Sequence, residues 1–185
     1  MAKQMYTLRD IPKYETIRAC AARYPEIDPA SSAACVLLLR VASDILASIE
    51  DYLALHNFSQ GRWTVMMLLY RFPDNPLNPC DLAERAGVTR ATMTGLLDGL
   101  EREQLVAREP VLADRRMLEV RLTDKGRQAL DDAMPGYFRL IRRLTGGLST
   151  QEKETLMELL TKLGATAMAE PEKEEAGPCA EAAKS

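Results

Sequence analysis

Apolar side chains return at helical spacing along most of this chain. Between residues 31 and 55 they recur every three or four positions for about seven turns, which predicts a long amphipathic helix. Ser59 offers an N-cap for a second helix, which the Phe72-Pro73 pair has to end. Ahead of these helices, three prolines within residues 1–30 predict an N-terminal arm that carries one short helix within residues 13–23.

Two short helices joined by a tight turn are predicted next. Asn78 places a capping side chain directly before Pro79, and Gly87 ends the first of the two helices. Thr89 caps the second helix, whose apolar side chains share one face: Met93, Leu96, Leu97 and Leu100. This arrangement is typical of a helix-turn-helix.

The period of the pattern then changes from helical to alternating. Residues 105–108 and 117–122 alternate on either side of a polar turn at 113–116, which predicts a β-hairpin, the wing of a winged helix. Helical spacing resumes over residues 123–144, where Pro135-Gly136 should kink or break the helix. Ser149 and Glu152 form a capping box for a last helix. The predicted fold is therefore mainly α with a small β-hairpin wing.

Composition indicates a globular domain without catalytic or metal-binding chemistry. The chain has 185 residues, of which 46% are hydrophobic, so it is long enough to bury a sizeable core. Its four cysteines are widely spaced and His56 is the single histidine, so we expect no zinc site and no cofactor. No nucleophile pairs with this histidine and no phosphate-binding glycine loop appears, which argues against an enzyme. Lacking a secretory signal and an uninterrupted apolar run of membrane length, the protein is expected to be cytoplasmic with no membrane partner.

The net charge of −3 hides an uneven distribution of charged residues. Residues 85–127 contain nine basic and seven acidic side chains, a balance of +2. Residues 170–185 contain five glutamates and two lysines, a balance of −3, which equals the net charge of the whole chain. This acidic tail has too few apolar residues to order itself, so we expect it to be disordered. The central segment keeps the positive balance that an approach to phosphates requires.

Three segments, in this order, resemble the MarR family of winged helix-turn-helix transcription regulators. They are residues 80–89 (CDLAERAGVT), residues 91–102 (ATMTGLLDGLER) and residues 114–126, which connect DRR to VRLTDKG. The resemblance spans residues 31–169. It implies a homodimer held by helices at about 31–56 and 124–169, with a DNA-binding lobe at about 59–123. It also implies a transcription regulator, by family habit a repressor, that binds double-stranded DNA at a pseudo-palindromic operator.

The polar face of the second short helix is the predicted DNA-reading surface. Small and hydroxyl side chains there let the backbone approach the major-groove floor, and Arg90 has the donors to read guanine. The candidate contacts are Thr89, Arg90, Ala91, Thr92, Thr94 and Gly95. A plainer interpretation is that Thr89 and Thr92 only cap the helix. Many relatives carry an arginine where this chain has Gly95, so we expect thinner direct readout and more weight on the wing.

The wing carries the second set of candidate DNA contacts. The resemblance implies that Asp114 orients the tip of the hairpin while Arg115 or Arg116 enters the minor groove. A carboxylate two residues from a guanidinium is able to preset its geometry. The alternative is an ordinary solvated turn.

Members of the family commonly release DNA when a small aromatic or phenolic anion binds between the dimer helices and the DNA-binding lobe. Arg40, His56 and Trp63 stand on the elements expected to line this crevice. The plainer interpretation places Trp63 in the core and His56 at the end of a helix, where it favours the helix dipole.

Two further interpretations stay open. Cys35 resembles, by its distance from His56, the sensing cysteine of the family's organic-peroxide branch, but Ile49 and Gln60 replace the tyrosines that hold the thiolate there. A small buried thiol without reactivity is the simpler interpretation of Cys35. The winged helix is alternatively a protein-interaction module that does not touch DNA, since a fold does not fix a function.

Overall fold

A computed structural model of the chain describes residues 12–71, 77–111 and 114–168, without the side chains of residues 111–117 and 168. Seven helices and one antiparallel hairpin follow each other in these residues, so the prediction of a mainly α fold with a small β-hairpin is confirmed. The elements are α1 (Tyr14–Ala21), α2 (Pro29–Leu55), α3 (Gln60–Arg71), α4 (Pro79–Ala86), α5 (Arg90–Arg102), β1 (Val106–Val111), β2 (Asp114–Leu122), α6 (Asp124–Leu144) and α7 (Thr150–Met168).

Helix α2 begins two residues earlier than the apolar pattern predicts. The carboxylate of Asp28 accepts hydrogen bonds from the backbone N–H groups of Ala30 and Ser31, both at 3.1 Å, and Pro29 occupies the first helical position. The hydroxyl of Ser31 also donates to this carboxylate, and these bonds, the hydroxyl's first, lower the pKa of Asp28. The cap lies before the first apolar residue, so the pattern alone places the helix start too late.

The predicted caps of the helix-turn-helix are confirmed. The side-chain oxygen of Asn78 accepts from the N–H groups of Cys80 at 2.9 Å and Asp81 at 3.0 Å. Gly87 follows α4 in the left-handed region, with φ of 65°, where a glycine carries no steric penalty. Thr89 caps α5 by accepting from the N–H of Thr92 at 3.1 Å. These local bonds fix both helix boundaries at the turn.

One continuous core unites helices α3 to α5 and the hairpin with parts of the two long helices. Helices α3, α4 and α5 and the hairpin supply most of it, and Leu53 of α2 and Leu130 of α6 join them. The side chains that are almost fully buried are Leu53, Val65, Met66, Leu82, Met93, Leu97, Leu100, Val106, Val120 and Leu130. The apolar face predicted for α5 is therefore the face that packs inward.

The hairpin extends further toward its tip than predicted. Val106 pairs with Leu122 and Val111 pairs with Asp114, so residues 114–116 belong to strand β2 and not to the turn. Backbone pairing continues past the last alternating apolar residues because ladder hydrogen bonds are indifferent to side-chain polarity. On the other side, the N–H of Val120 donates to the carbonyl of Leu77 at 2.9 Å, which ties the hairpin to the segment before α4.

Helix α6 runs through Pro135 without a break, so the predicted break is wrong. Pro135 removes one N–H donor only, and the turns on both sides keep the helix. Next to it, the absence of a side chain at Gly136 lets the phenol of Tyr52 approach, since a Cβ there would lie 2.2 Å from the hydroxyl oxygen. Tyr52 donates this hydroxyl to the carbonyl of Ala133 at 2.6 Å. Pro135-Gly136 is thus a docking point for α2 on α6.

The chain divides into two compact units between Ile141 and Arg142. In the first unit, α2 leaves much of its apolar surface exposed, and it is long and apolar enough to cross a membrane by length and composition alone. In the second unit, the predicted capping box is confirmed, because Ser149 donates its N–H to Glu152 at 2.7 Å and accepts from the N–H of Glu152 at 3.3 Å. The apolar side chains of α7 are also exposed: Leu156, Met157, Leu159, Leu160 and Leu163.

Candidate nucleic-acid interface

Helix α5 turns its polar face outward. Met93, Leu97 and Leu100 anchor the opposite face in the core. Of the nine residues predicted to contact DNA, the six on α5 and its N-cap are all exposed: Thr89, Arg90, Ala91, Thr92, Thr94 and Gly95. The structure therefore brings the helix part of the predicted site together on one accessible surface.

Three threonines on this surface are already engaged in hydrogen bonds within α5 and its N-cap. The hydroxyls of Thr89 and Thr92 lie 2.9 Å apart, and the Thr89 hydroxyl also caps the helix. Thr94 donates its hydroxyl to the carbonyl of Arg90 at 3.0 Å, so toward a base it is an acceptor. Such an oxygen matches the amino groups of adenine or cytosine in the major groove.

Gly95 has no neighbour that requires a glycine. A Cβ at this position meets no atom within 4 Å, and the residue lies within a regular helix. The glycine therefore serves neither packing nor a special backbone conformation. What it does is to leave the backbone of α5 uncovered in the middle of the exposed face.

Arg108 ties the hairpin to α5. This residue of β1 donates from Nη2 to the Oδ1 of Asp98 at 2.7 Å, and its Nη1 lies 3.3 Å from the Oε2 of Glu101. Its side chain is only 21% exposed. Sequence reasoning missed this fork because its three members are brought together only when the hairpin folds back on α5.

The positive balance of this lobe is partly neutralised by such pairs. Arg121 lies 3.1 Å from Glu119 and 3.6 Å from Glu109, all within the hairpin. By contrast, Arg90 makes no ion pair with any other residue that the structure describes, so its charge faces solvent at the start of α5. The side chains of Asp114, Arg115 and Arg116 lie outside the described part of the chain, and their contact with DNA stays a prediction.

The residues predicted to bind an effector do not converge within one chain. Arg40 pairs with Asp44 at 2.8 Å, and sixteen residues of continuous helix, about 24 Å, separate it from His56. The ring of His56 lies 5.0 Å from that of Tyr52. Trp63 is a core residue, 5% exposed, between Phe58 at 5.6 Å and Tyr137 at 5.1 Å. Within the single chain these three side chains do not line one crevice, and their role in a crevice between the dimer helices and the DNA-binding lobe stays a prediction.

Trp63 nevertheless lines a cleft of about 690 Å³ between α3 and α6, which we call the α3–α6 cleft. Its floor is aromatic and apolar, and Arg71 contributes a guanidinium. The lining residues are Trp63, Thr64, Met67, Leu68, Tyr70, Arg71, Met134, Tyr137 and Phe138. Part of this lining was predictable from the sequence. Met134, Tyr137 and Phe138 stand at positions i, i+3 and i+4 of one helix and so share one of its faces.

The thiol of Cys35 is exposed, so the simpler expectation of a buried cysteine is wrong in this chain. The surface of α2 around it is largely uncovered, and the exposed apolar residues Leu37, Leu38 and Leu39 follow it directly. His56 lies twenty-one residues further along the same helix, about 30 Å away. A redox function of Cys35 stays a prediction, and no described contact with His56 supports it.

Comparison with known proteins shows that this chain is similar to one family of transcription regulators. The model of the MarR family matches residues 58–118, which contain α3 to α5 and most of the hairpin. The HTH-type transcriptional repressor YetL of Bacillus subtilis is 35% identical over 156 residues, covering 84% of this chain and 93% of YetL.

Two solved structures share the fold. The MarR family regulator Sco3205 of Streptomyces coelicolor, in complex with DNA, superposes with a TM-score of 0.70 at 19% identity, over 78% of this chain and 91% of Sco3205. BpsR of Bordetella bronchiseptica, whose DNA binding is regulated by 6-hydroxynicotinic acid, superposes with a TM-score of 0.61 at 23% identity, over 69% of this chain and 90% of BpsR.

Proposed function

Because this chain belongs to the MarR family and is a transcriptional regulator with a winged helix, we propose that it binds a pseudo-palindromic DNA operator as a homodimer. The observation that carries the proposal is the outward polar face of α5, whose opposite face is locked in the core. With its N-cap, this helix also directs free backbone N–H groups and the positive end of its dipole outward, where a phosphate binds favourably.

Within the site, each candidate residue has a distinct role. Arg90 reads guanine or binds a phosphate from the start of α5, and the Thr94 hydroxyl accepts from a base amino group. Ala91 and Gly95 allow the backbone to come close to the groove floor. Because Gly95 brings no side chain to the bases, Arg115 and Arg116 of the wing supply most of the affinity and read the width of the minor groove.

Salt dependence of DNA binding tests the role of the wing. An operator duplex selected from a random library by the wild-type protein is titrated at several salt concentrations with wild type, Arg116→Ala and Arg18→Ala. Removal of one phosphate interaction flattens the slope of log affinity against log salt by about 0.9, so the two wings of a dimer give about 1.8. Arg18 lies on α1 and serves as the charge control, for which we expect the wild-type slope. An Arg116→Ala protein with wild-type affinity and slope would rule out the wing contact.

The effector that we propose is a small aromatic or phenolic anion bound in the α3–α6 cleft. The cleft offers aromatic faces for a ring and the Arg71 guanidinium for a carboxylate or phenolate. Occupation of this cleft displaces α3 and α6 relative to α5 and releases DNA, which makes the protein a repressor that is relieved by its ligand.

Trp63 makes this proposal measurable, since it is the single tryptophan of the chain and lines the cleft. We expect 6-hydroxynicotinate or hydroxybenzoates to change its emission and to release the operator duplex. Arg71→Gln should raise the concentration for half-release about tenfold, because it removes a charge-assisted hydrogen bond. Benzamide, a neutral control of similar shape, should be indifferent to the substitution. Equal responses of wild type and Arg71→Gln to the anions would place the effector elsewhere.

A further inference from the structure

Arg62 of α3 connects this helix with the end of α5, the helix proposed above to bind DNA, which we call the recognition helix. Its Nη2 donates to the carboxylate of Glu103, the residue that directly follows α5. Its Nη1 donates to the carbonyl of Asn57 in the turn before α3 at 3.4 Å. The Arg62 side chain is 18% exposed and the Glu103 side chain 50% exposed, so the pair is partly withdrawn from solvent. Three elements therefore meet at one guanidinium.

The end of α5 is also held from the opposite side by the start of α6. Lys125 donates its Nζ to the backbone carbonyl of Glu103 at 2.8 Å. Thr123 donates its hydroxyl to the carbonyl of Gln104 at 2.7 Å and its N–H to that of Leu105 at 3.2 Å. Besides the packing of α3 against α5 in the core, the carboxylate of Glu103 gives Arg62 of α3 a polar contact with the end of α5.

The same contact acts on the acidity of this carboxyl group. The hydrogen bond from Arg62 lowers the pKa of Glu103 below its ordinary value, so the ionised form that pairs with Arg62 is favoured further. Along α3, Arg62 directly precedes Trp63 and Thr64, two residues that line the α3–α6 cleft. One turn of helix thus carries both the wall of the cleft and the contact with the end of α5.

We propose that the Arg62–Glu103 ion pair is a positioning contact that sets the recognition helix for DNA and couples it to the α3–α6 cleft. Neither side chain needs to touch DNA for this role, since both act through the placement of α5. The proposal rests on the function proposed above, that α5 binds DNA. It assigns to these two residues a share of DNA affinity that their charges alone do not predict.

The sign of the effect of Glu103→Gln separates positioning from simple electrostatics. This substitution removes a negative charge from the DNA-binding lobe. If Glu103 acted by its charge alone, the protein would bind DNA more tightly after the substitution. A positioning contact predicts the opposite, a loss of affinity of about three- to tenfold. Glu84→Gln is the matched control, because it removes the same charge from an exposed side chain of α4 in the same lobe. We expect the control to bind as tightly as wild type or more tightly.

Exchange of the two charged residues provides a second test of the ion pair. Arg62→Gln is expected to lose affinity to a similar extent as Glu103→Gln, and the exchanged pair Arg62→Glu/Glu103→Arg should recover affinity to within about twofold of wild type. Thermal unfolding of each variant shows whether it is folded. If the exchanged protein does not fold, the sign of the Glu103→Gln effect against Glu84→Gln still decides.

Trp63 reports the coupling directly. Addition of the operator duplex should change the emission of Trp63 in wild type, and the change should shrink in the folded Arg62→Gln/Glu103→Gln protein. An equal change in both proteins, no change in wild type, or tighter DNA binding by Glu103→Gln would each overturn the inference. If wild type itself binds no selected duplex, the proposed function fails, which is a different result.

Discussion

Gln104 adopts a left-handed backbone conformation, with φ of 60°, directly after the end of α5. The N–H of Gln104 donates to the carbonyl of Glu101 at 2.8 Å and that of Leu105 to Leu100 at 2.9 Å, the bond pattern of a Schellman motif. A side chain in this conformation is strained by about 1 kcal/mol or more, and a glycine is not. The turn that leads from the recognition helix into the wing is therefore held under strain.

Gln104→Gly should stabilise the protein. Release of the strain exceeds the entropy that glycine adds to the unfolded chain, and we expect a gain of about 0.5–1 kcal/mol. For a chain of this length that corresponds to an increase in Tm of about 1–4 °C in calorimetry. Asn57→Gly is the control: Asn57 has φ of 59° after α2, but asparagine tolerates this region, so its gain should be smaller. A lower Tm for Gln104→Gly would show that the glutamine side chain contributes a contact of its own.

Individual residues were predictable from sequence where their partners are local. The caps Asn78, Thr89 and Ser149 bond to groups two or three residues away, so a short stretch of sequence contains the whole interaction. The exposure of Cys35 was not predictable in this way, because the surroundings of this residue depend on which elements cover α2. Periodicity shows that a helix has an apolar face and does not show which partner buries it.

At the scale of elements, Arg108 joins the wing to the recognition helix by ion pairs. Its guanidinium bridges Asp98 and Glu101, which lie three residues apart and so share one side of α5. The strand pattern predicted the hairpin, and the helical pattern predicted α5. Neither pattern shows the angle at which the hairpin packs on α5. That angle depends on this fork and on the turn at Gln104.

Arg108→Gln should weaken DNA binding more than the removal of one wing charge explains. We expect a loss of affinity of about tenfold, together with a loss of stability of about 1 kcal/mol, because two carboxylates lose their partner while the wing loses its anchor. Arg121→Gln is the matched control, since it removes the same charge from the same hairpin but breaks only pairs within the wing at a side chain that is 43% exposed. Equal losses of affinity in the two variants, measured by mobility shift, would reduce the role of Arg108 to its charge.

The long helices show the limit of element prediction in a different way. The helix predicted over residues 123–144 is present as α6, but Pro135 does not end it: the proline removes a single backbone donor, and the turns on both sides remain helical. In the same way, the α3–α6 cleft was predictable only as an aromatic face on α6. The side chains of α3 that complete the cleft are determined by the packing of the core.

At the scale of the whole molecule, α2 and α7 each leave several large apolar side chains exposed. On α2, Leu37, Leu38 and Val41 are 49%, 36% and 51% exposed, and their spacing spreads them around more than one side of the helix. Helix α7 exposes five large apolar side chains in the second unit. Large exposed apolar patches mark interaction surfaces, and a second copy of this chain is the partner that we propose.

Leu160→Glu on α7 should therefore dissociate the dimer. Light scattering should give a mass near 20.6 kDa for the variant and twice this value for wild type. Leu118→Glu is the control: Leu118 is exposed to a similar degree on β2, outside the proposed dimer surface, and its substitution should leave the mass unchanged. In the proposed complex one operator binds both winged helices, so a monomer would lose the gain from simultaneous binding and its affinity for the duplex should fall by about a hundredfold or more. A monomeric wild type, or a dimeric Leu160→Glu variant, would remove α7 from the dimer interface and leave its apolar face to another partner.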